Sequence, residues 1–164
     1  MASSAFTIMA VNQENEKHAQ KLILEGLKEH FGFIDHTLNP DLYPILKTYT
    51  GEPNVLYVGY YQGVLVATGA IVKEEERVGR VTRLSVAKKW RGKGFAKAML
   101  AKLEVTAEHK GYAKLVLETN HHWTDAIHLY QKAGYSESHK DETSIHMYKD
   151  LKTDTINRYS GRSS

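Results

Sequence analysis

The chain has 164 residues, of which 41% are hydrophobic, and a formal net charge of +3 at pH 7. This length allows one sizeable core, so we predict a single domain over residues 1–152 and a polar, mobile tail over 153–164. The modest charge without a long basic stripe argues against nonspecific nucleic-acid binding. The absence of cysteine excludes disulfides, thiolate metal ligands and a cysteine nucleophile.

The N-terminal residues do not resemble a secretion signal, because they lack a basic region and their apolar run is too short. No apolar segment of the sequence has the length needed to span a membrane. With no cysteine that requires an oxidising compartment, we expect a cytoplasmic protein without a membrane partner.

The first third of the sequence predicts one strand and two helices. Residues 6–11 form the strand, and Asn12 caps the first helix. A second, short helix begins at Asn39-Pro40 and ends at Gly51. The apolar residues that recur at helical spacing in these helices are Ala19, Leu22, Ile23, Leu27 and Phe31, then Leu42, Ile45, Leu46 and Tyr49.

The middle of the sequence is rich in residues that favour strands. The runs 55–61 and 64–72 are joined by a Gln-Gly pair, which predicts a hairpin. A third run, 78–86, follows the charged segment 73–77. We expect that segment to be a solvated turn.

A basic turn with two glycines follows the third run and precedes an amphipathic helix. Gly92 and Gly94 remove side chains that would block a ligand, so that successive backbone N–H groups can point at one anion. The positive end of the helix adds attraction. The surrounding cations suit a ligand with several phosphates; they are Lys88, Lys89, Arg91, Lys93 and Lys97. The sequence therefore predicts a phosphate cradle.

Two familiar nucleotide motifs can be tested against this turn by spacing. A nucleoside-triphosphate P-loop fails, because Gly92-Lys93 is followed by Gly94 and not by Ser or Thr. A dinucleotide fingerprint lacks its third glycine, whose position holds Lys97, although Glu118 falls where a ribose-binding acid would lie. A nicotinamide-nucleotide enzyme therefore stays as the weaker alternative.

The last third of the sequence continues the alternation of helices and strands. The helix after the turn ends near Gly111 and is followed by a strand over 115–117, a helix over 125–133 and an antiparallel pair, 135–139 with 145–149. This order predicts a mixed α/β domain. The residues expected on the buried face of the long helix are Phe95, Met99, Leu103 and Ala107.

Two motifs carry a resemblance to a known family. Arg91-x-x-Gly94-x-Ala96 after a strand resembles the acetyl-CoA pyrophosphate motif of the GNAT N-acetyltransferase superfamily. Asn120 followed by residues 126–135 is similar to the next strand end and helix of that superfamily. The resemblance implies an α/β (α+β) fold with a mixed, largely antiparallel central sheet flanked by helices. It also implies acetyl-CoA as cosubstrate and an amine of a small molecule or protein as acceptor.

The resemblance assigns the donor site to one continuous segment. The pantetheine arm would pair like an added strand with Leu84, Ser85 and Val86. A bulge near Leu84 would leave a backbone N–H facing the thioester oxygen. The pyrophosphate would lie on the backbone of Arg91, Gly92, Lys93, Gly94, Phe95 and Ala96.

The resemblance also supplies two catalytic candidates. Tyr130 corresponds to the tyrosine that often acts as general acid, and with an ordinary pKa of about 10 its phenol stays protonated until a thiolate departs. Asn120 matches a position that often contacts the donor or orders water. The alternatives are that Tyr130 only packs in the core and that Asn120 is a turn residue.

The general base is left open by the sequence. Related enzymes often have glutamate where this chain has Arg83, which cannot accept a proton. Glu118, His121 and His122 are the candidates, and histidine has the more suitable ordinary pKa, roughly 6.5. An anionic acceptor could meet Arg83 or His36.

Three further expectations concern metals, assembly and catalysis. We predict no metal site, because His121, His122 and His128 lack the H-E-x-x-H pattern and there are no cysteines. The sequence does not determine the oligomeric state. A homodimer is the assembly that we consider. The alternative to an enzyme is a noncatalytic acyl-CoA-binding or regulatory module, which the arginine at position 83 favours.

Overall fold

The computed structural model describes residues 5–31 and 39–152, so the expected tail over 153–164 and His36 lie outside the described residues. The described part contains seven strands, four α-helices and two 3₁₀ turns. The strands are β1 (Phe6–Ala10), β2 (Val55–Tyr61), β3 (Val64–Glu75), β4 (Val78–Val86), β5 (Lys114–Asn120), β6 (Ser136–Lys140) and β7 (Ser144–Asp150). The helices are α1 (Glu16–Phe31), α2 (Ile45–Tyr49), α3 (Phe95–His109) and α4 (Thr124–Lys132), with 3₁₀ turns at Pro40–Leu42 and Lys88–Trp90.

The strands form one sheet in the order β1-β2-β3-β4-β5-β7-β6. The pairs β1/β2, β2/β3, β5/β7 and β6/β7 are antiparallel, and β4/β5 is parallel. The predicted mixed and largely antiparallel sheet with helices is therefore confirmed.

The chain divides into two compact units. The first comprises the described residues within Met1–Val72 and Thr82–Ala101, and the second those within Lys73–Val81 and Lys102–Ser164. The single domain expected over 1–152 stays a prediction. A cluster of buried residues forms the core of the first unit: Val11, Ala19, Ile23, Leu42, Ile45, Tyr49, Leu56, Val58 and Ala70. Buried residues of the second unit include Leu103, Ala107, Tyr112, Leu115, Leu117, Tyr135 and Met147.

The hairpin predicted in the middle of the chain is confirmed, and its turn has the expected backbone. Gln62 (φ 53°) and Gly63 (φ 77°) are both left-handed, as in the two-residue turns that match the twist of antiparallel strands. Nearby, a Cβ on Gly59 would lie 2.3 Å from the ring of Phe6, so this position admits no side chain without moving that ring. Asn12 caps the first helix as predicted, since its Oδ1 accepts from the backbone N–H of Asn15 at 3.0 Å.

Two predicted segments differ from the structure. The single helix expected from residue 39 to Gly51 is split into the 3₁₀ turn Pro40–Leu42 and α2. Pro44 separates them, because it has an extended backbone (ψ 152°) and no N–H for a helical hydrogen bond. The charged segment 73–77 is not wholly a turn, because β3 continues to Glu75. Within this extension Glu74 accepts two hydrogen bonds from Arg80, at 2.8 and 3.1 Å.

The long helix α3 buries the face that the sequence predicts. Phe95, Met99, Leu103 and Ala107 are at most 7% exposed. The helix is followed by Gly111, whose φ of 85° suits the chain reversal at a helix C-terminus. Within the described ranges, no helix combines the length and apolar character needed to cross a membrane.

Candidate functional site

The turn between β4 and α3 has the backbone of an anion cradle. Gly92 (φ 80°) and Gly94 (φ 86°) are both left-handed, and α3 begins at Phe95. The N–H of Ala98 donates to the carbonyl of Gly94 at 3.0 Å, which is the first bond of the helix. The amides just before Ala98 belong to the first turn, whose N–H groups have no partner within a helix. They are the donors that a helix N-terminus offers to a phosphate.

The two glycines are required for their conformation and not for space within the protein. A Cβ built on Gly92 or Gly94 would meet no atom within 4 Å. Both nevertheless have φ values that L-residues rarely adopt. The left-handed backbone is therefore one reason for these glycines, and the room that they would leave for a ligand stays a prediction.

Aromatic side chains hold both ends of this turn. Trp90, just before it, packs edge-on against Tyr61 of β2 with ring centres 5.5 Å apart, and Phe95, just after it, lies 4.9 Å from the same ring. Phe95 also stacks on Phe6 of β1 at 4.6 Å. Such ring pairs add stability beyond the area they bury. Sequence reasoning missed Tyr61, because nothing local links β2 to the turn.

Arg91 of the predicted cradle has its side-chain charge already paired. Its guanidinium donates to both carboxylate oxygens of Glu29 on α1, at 2.7 and 2.8 Å, and its Nε donates to the carbonyl of Val86 at 2.9 Å. The hydrogen bonds to Glu29 raise the pKa of Arg91 above its usual value. Arg91 thus fastens the turn to α1 and β4, and its backbone N–H already donates to the carbonyl of Lys88 at 3.4 Å.

The end of β4 that the resemblance assigns to the pantetheine arm is half-buried and irregular. Leu84, Ser85 and Val86 are all partly exposed. Arg83 just before them has φ 55°, which is uncommon for a residue with a side chain, and its carbonyl accepts a hydrogen bond from the Thr68 hydroxyl at 2.8 Å. The backbone is therefore irregular one residue before the predicted bulge at Leu84.

The Arg83 side chain is engaged by an acid on the 3₁₀ turn Pro40–Leu42. Its Nη2 and Nε donate to the two oxygens of Asp41 at 2.6 and 3.0 Å, and the Tyr49 hydroxyl donates to Asp41 Oδ2 at 2.5 Å. Burial acts to raise the pKa of Asp41, but the hydrogen bonds from Arg83 and Tyr49 outweigh it and lower that pKa. Arg83 therefore meets an internal carboxylate, where the sequence analysis suggested an anionic acceptor.

Removing this carboxylate should destabilise the protein. Asp41→Ala leaves the mostly buried Arg83 guanidinium unpaired, and we expect a loss of about 2 kcal/mol, below the 3–5 kcal/mol of fully buried pairs because both groups retain some exposure. Glu76→Ala, which breaks the exposed pair with Lys73, is the control and should cost under about 1 kcal/mol. Chemical denaturation measures both changes, and equal losses would contradict this role of Asp41.

The same pair makes a prediction about pH. Because the pKa of Asp41 is lower in the folded state than its ordinary value of 3.8, its contribution is fully present above that value. The contribution is lost as the pH falls through the lower folded-state pKa. The stability difference between the wild type and Asp41→Asn should therefore be constant from pH 5 to 7 and shrink below about pH 4. A difference that grows on acidification would contradict this sign.

In the second unit, Tyr130 lies in the last turns of α4. Its side chain is 8% exposed, and its ring packs edge-on against Tyr135 with ring centres 5.8 Å apart. Burial raises the pKa of Tyr130 to about 12, so the phenol is protonated at neutral pH. Tyr130 is thus a buried aromatic residue whose phenol keeps its proton. Its surroundings are compatible both with a general acid and with a residue that only packs in the core.

Asn120, at the end of β5, has a clear structural task. Its side-chain oxygen accepts a hydrogen bond from the backbone N–H of His122 at 2.9 Å, and its carbonyl accepts from the N–H of Trp123 at 3.0 Å. These bonds shape the turn from β5 into α4, as the turn interpretation expects. Contact between Asn120 and a donor stays a prediction.

The three candidate bases have different neighbours. Glu118 is exposed and lies 3.7 Å from Arg80 Nη1 and 3.8 Å from His146 Nε2. The Nε2 of His121 lies 2.8 Å from the carbonyl of Glu142, and the ring of His121 contacts that of His122 with centres 4.2 Å apart. Because a carbonyl oxygen only accepts hydrogen bonds, Nε2 is the donor in this contact, which ties His121 to the β6–β7 turn and leaves Nδ1 as the basic nitrogen of a neutral ring.

Comparison with known proteins decides the family. The model of the Acetyltransferase (GNAT) family matches residues 21–135, a range that includes every predicted site residue. This chain belongs to the GNAT acetyltransferase family.

Individual relatives that are named N-acetyltransferases agree with this assignment. Over 113 residues the chain is 29% identical to the probable N-acetyltransferase family 8 member 5 of Mus musculus, covering 66% of this chain and 50% of that protein. Over 112 residues it is 30% identical to N-acetyltransferase 8B of Homo sapiens, covering 65% and 49%. The chain thus spans about half the length of the curated relatives it matches.

Solved structures share the fold. A GNAT-family acetyltransferase from Staphylococcus aureus superposes with a TM-score of 0.80 at 20% identity, covering 90% of this chain and all of that one. The PaiA N-acetyltransferase of Thermoplasma acidophilum, solved in complex with coenzyme A, superposes with a TM-score of 0.76 at 15% identity, covering 90% and 99%. At these identities the likeness establishes the GNAT fold.

Proposed function

We propose that this GNAT-family chain is an acetyl-CoA-dependent N-acetyltransferase that acetylates a primary amine of a small molecule or protein. The observation that carries the proposal is the turn from Arg91 to Ala96, with two left-handed glycines directly before a 15-residue helix. Coenzyme A presents a pyrophosphate, and such a turn offers several N–H donors to one anion. The coenzyme A complex of the Thermoplasma relative supports the choice of donor.

In this proposal the amine attacks the thioester directly within a ternary complex. The nitrogen lone pair forms a bond to the carbonyl carbon, the nitrogen releases a proton, and the carbon–sulfur bond breaks. The proposed site places the pantetheine arm along Leu84, Ser85 and Val86 by strand-like pairing. The departing thiolate takes the phenolic proton of Tyr130, which the high pKa keeps in place until that step.

The base in this proposal is not Arg83. A guanidinium cannot accept a proton, and this one is also bound by Asp41. The amine proton passes to water or to an exposed group near the end of β5, where Glu118, His121 and His122 are the candidates.

A second candidate function is a noncatalytic acyl-CoA-binding module. The observation that favours it is Arg83, which stands where related enzymes often have glutamate and is held by Asp41. Such a module would keep the cradle without turning over the thioester.

Release of free thiol from acetyl-CoA separates the two functions. We expect the purified protein to release thiol only when an amine is added, and the panel should include amino acids, polyamines, peptide N-termini and lysine peptides. Mass spectrometry should find one acetyl group on the amine consumed. Binding of acetyl-CoA without thiol release for any class of amine would favour the noncatalytic module.

A further inference from the structure

Three side chains that commonly bind metals converge in the second unit. Glu118 on β5 and His146 on β7 are register partners, and Asp141 lies in the turn between β6 and β7. One nitrogen or oxygen atom from each of the three lies within 4.8 Å of the other two. We infer that Glu118, Asp141 and His146 together bind one divalent transition-metal ion of the Zn²⁺ type.

The distances approach those of a metal site. His146 Nε2 lies 2.8 Å from Asp141 Oδ2 and 3.8 Å from Glu118 Oε2. A tetrahedral zinc ion with bonds of 2.0–2.2 Å sets its ligand atoms about 3.4 Å apart, and the two distances lie on either side of this value. Small side-chain rotations would therefore admit the ion, with water as the fourth ligand.

Asp141 is held in position by the turn to which it belongs. Its Oδ1 accepts hydrogen bonds from the backbone N–H groups of Thr143 at 3.0 Å and Ser144 at 2.8 Å. Its Oδ2 is the oxygen that lies next to His146. One oxygen thus shapes the turn and the other faces the proposed ion.

The imidazole of His146 is also positioned by its neighbours. The ring of His139 on β6 stacks on it with centres 4.1 Å apart and planes inclined by 11°. His146 also lines a cavity of about 180 Å³ together with His139 and Arg80.

A cation beside the cluster, Arg80, is already paired with another carboxylate. Arg80 Nη1 lies 3.7 Å from Glu118 Oε1, whereas Glu74 binds the same guanidinium at 2.8 and 3.1 Å. Glu74 therefore offsets most of the charge that would compete with an ion for Glu118. A mixed set of one imidazole and two carboxylates suits zinc-type ions, whereas Mg²⁺ and Ca²⁺ prefer oxygen ligands alone.

The position of the ligands gives the ion a structural role. Glu118 is on β5, whereas Asp141 and His146 belong to the hairpin β6–β7. A bound ion would fasten that hairpin to β5 and stabilise the folded state. The sequence analysis predicted no metal because it searched for local motifs, and positions 118, 141 and 146 meet only after the strands pair.

Calorimetric titration of the full chain, free of any histidine tag and stripped with EDTA, tests this inference with ZnCl₂ as the probe. We expect one Zn²⁺ per chain, a rise in melting temperature and no comparable response to MgCl₂. His146→Ala and Asp141→Asn should weaken Zn²⁺ binding at least about tenfold. Asp141→Asn keeps an oxygen for the turn, so it separates loss of a ligand from loss of the fold.

His128→Ala is the matched control, because it removes an exposed histidine of the same unit that lies outside the cluster. It should bind Zn²⁺ like the wild type. Absence of stoichiometric binding by the wild type, or unchanged binding by His146→Ala, would overturn the inference. The test does not depend on acetyl transfer, and its outcome bears on the proposed function only in that a metal-bound Glu118 could not be the base.

Discussion

Tyr130→Phe should lower kcat by about 100-fold while leaving the affinity for acetyl-CoA nearly unchanged, since loss of a general acid or base typically costs 10²–10⁴-fold. The variant removes only the hydroxyl group. The ring that packs against Tyr135 remains, so the fold should be retained. Steady-state kinetics with a saturating amine would measure kcat, and calorimetric titration would measure the affinity.

Tyr112→Phe is the control for this experiment, because it removes a hydroxyl from another buried tyrosine of the second unit. It should leave kcat within about twofold, well below the loss expected for a general acid. Because the pKa of Tyr130 is about 12, its acid form persists below that pH, and the ratio of wild-type to Tyr130→Phe rates should be constant from pH 7 to 10. Unchanged turnover in Tyr130→Phe would show that Tyr130 is not the general acid.

Gly94→Val should weaken acetyl-CoA binding by about 10- to 100-fold, because forcing a residue with a side chain into unfavourable backbone costs about 1–3 kcal/mol, and 1.4 kcal/mol is a factor of ten. The φ of Gly94 is 86°, at the point where α3 begins. A valine there would relax by moving the very N–H groups that the proposal assigns to the pyrophosphate. Calorimetric titration with acetyl-CoA and with free coenzyme A would measure the loss.

Gly111→Val provides a matched control beyond the other end of the same helix. Gly111 has φ 85°, and a Cβ built there or on Gly94 meets no atom within 4 Å. The two substitutions should therefore lower stability by similar amounts, whereas only Gly94→Val should weaken the binding of acetyl-CoA. Equal effects of both on affinity would show that the turn has no special role.

Local sequence patterns were sufficient to predict most elements of the fold. The strands β2 and β4 begin and end where the β-rich runs do, and Phe95, Met99, Leu103 and Ala107 are buried as their spacing predicts. The error at α2 arose because the apolar spacing continues through Pro44, which interrupts the hydrogen bonds of a helix. The spacing of apolar residues indicates which side chains are buried, but it does not register that Pro44 lacks the N–H that a helical hydrogen bond requires.

The contacts around the candidate site could not be predicted, because they join residues far apart in the sequence. Arg83 meets Asp41 across 42 positions, and Arg91 meets Glu29 across 62. In the sequence both arginines looked like cations available to a ligand. Only the folded structure shows that two internal carboxylates, those of Asp41 and Glu29, bind these arginines.

The central claim is that the turn between β4 and α3 binds coenzyme A, and thermal stabilisation of the purified protein by acetyl-CoA, free coenzyme A and NAD tests it most directly. A ligand that binds only the folded state stabilises it by about 2.7 kcal/mol at a hundred times its Kd. The melting temperature should rise with both coenzyme A species and not with NAD. No rise with either coenzyme A species would contradict the claim.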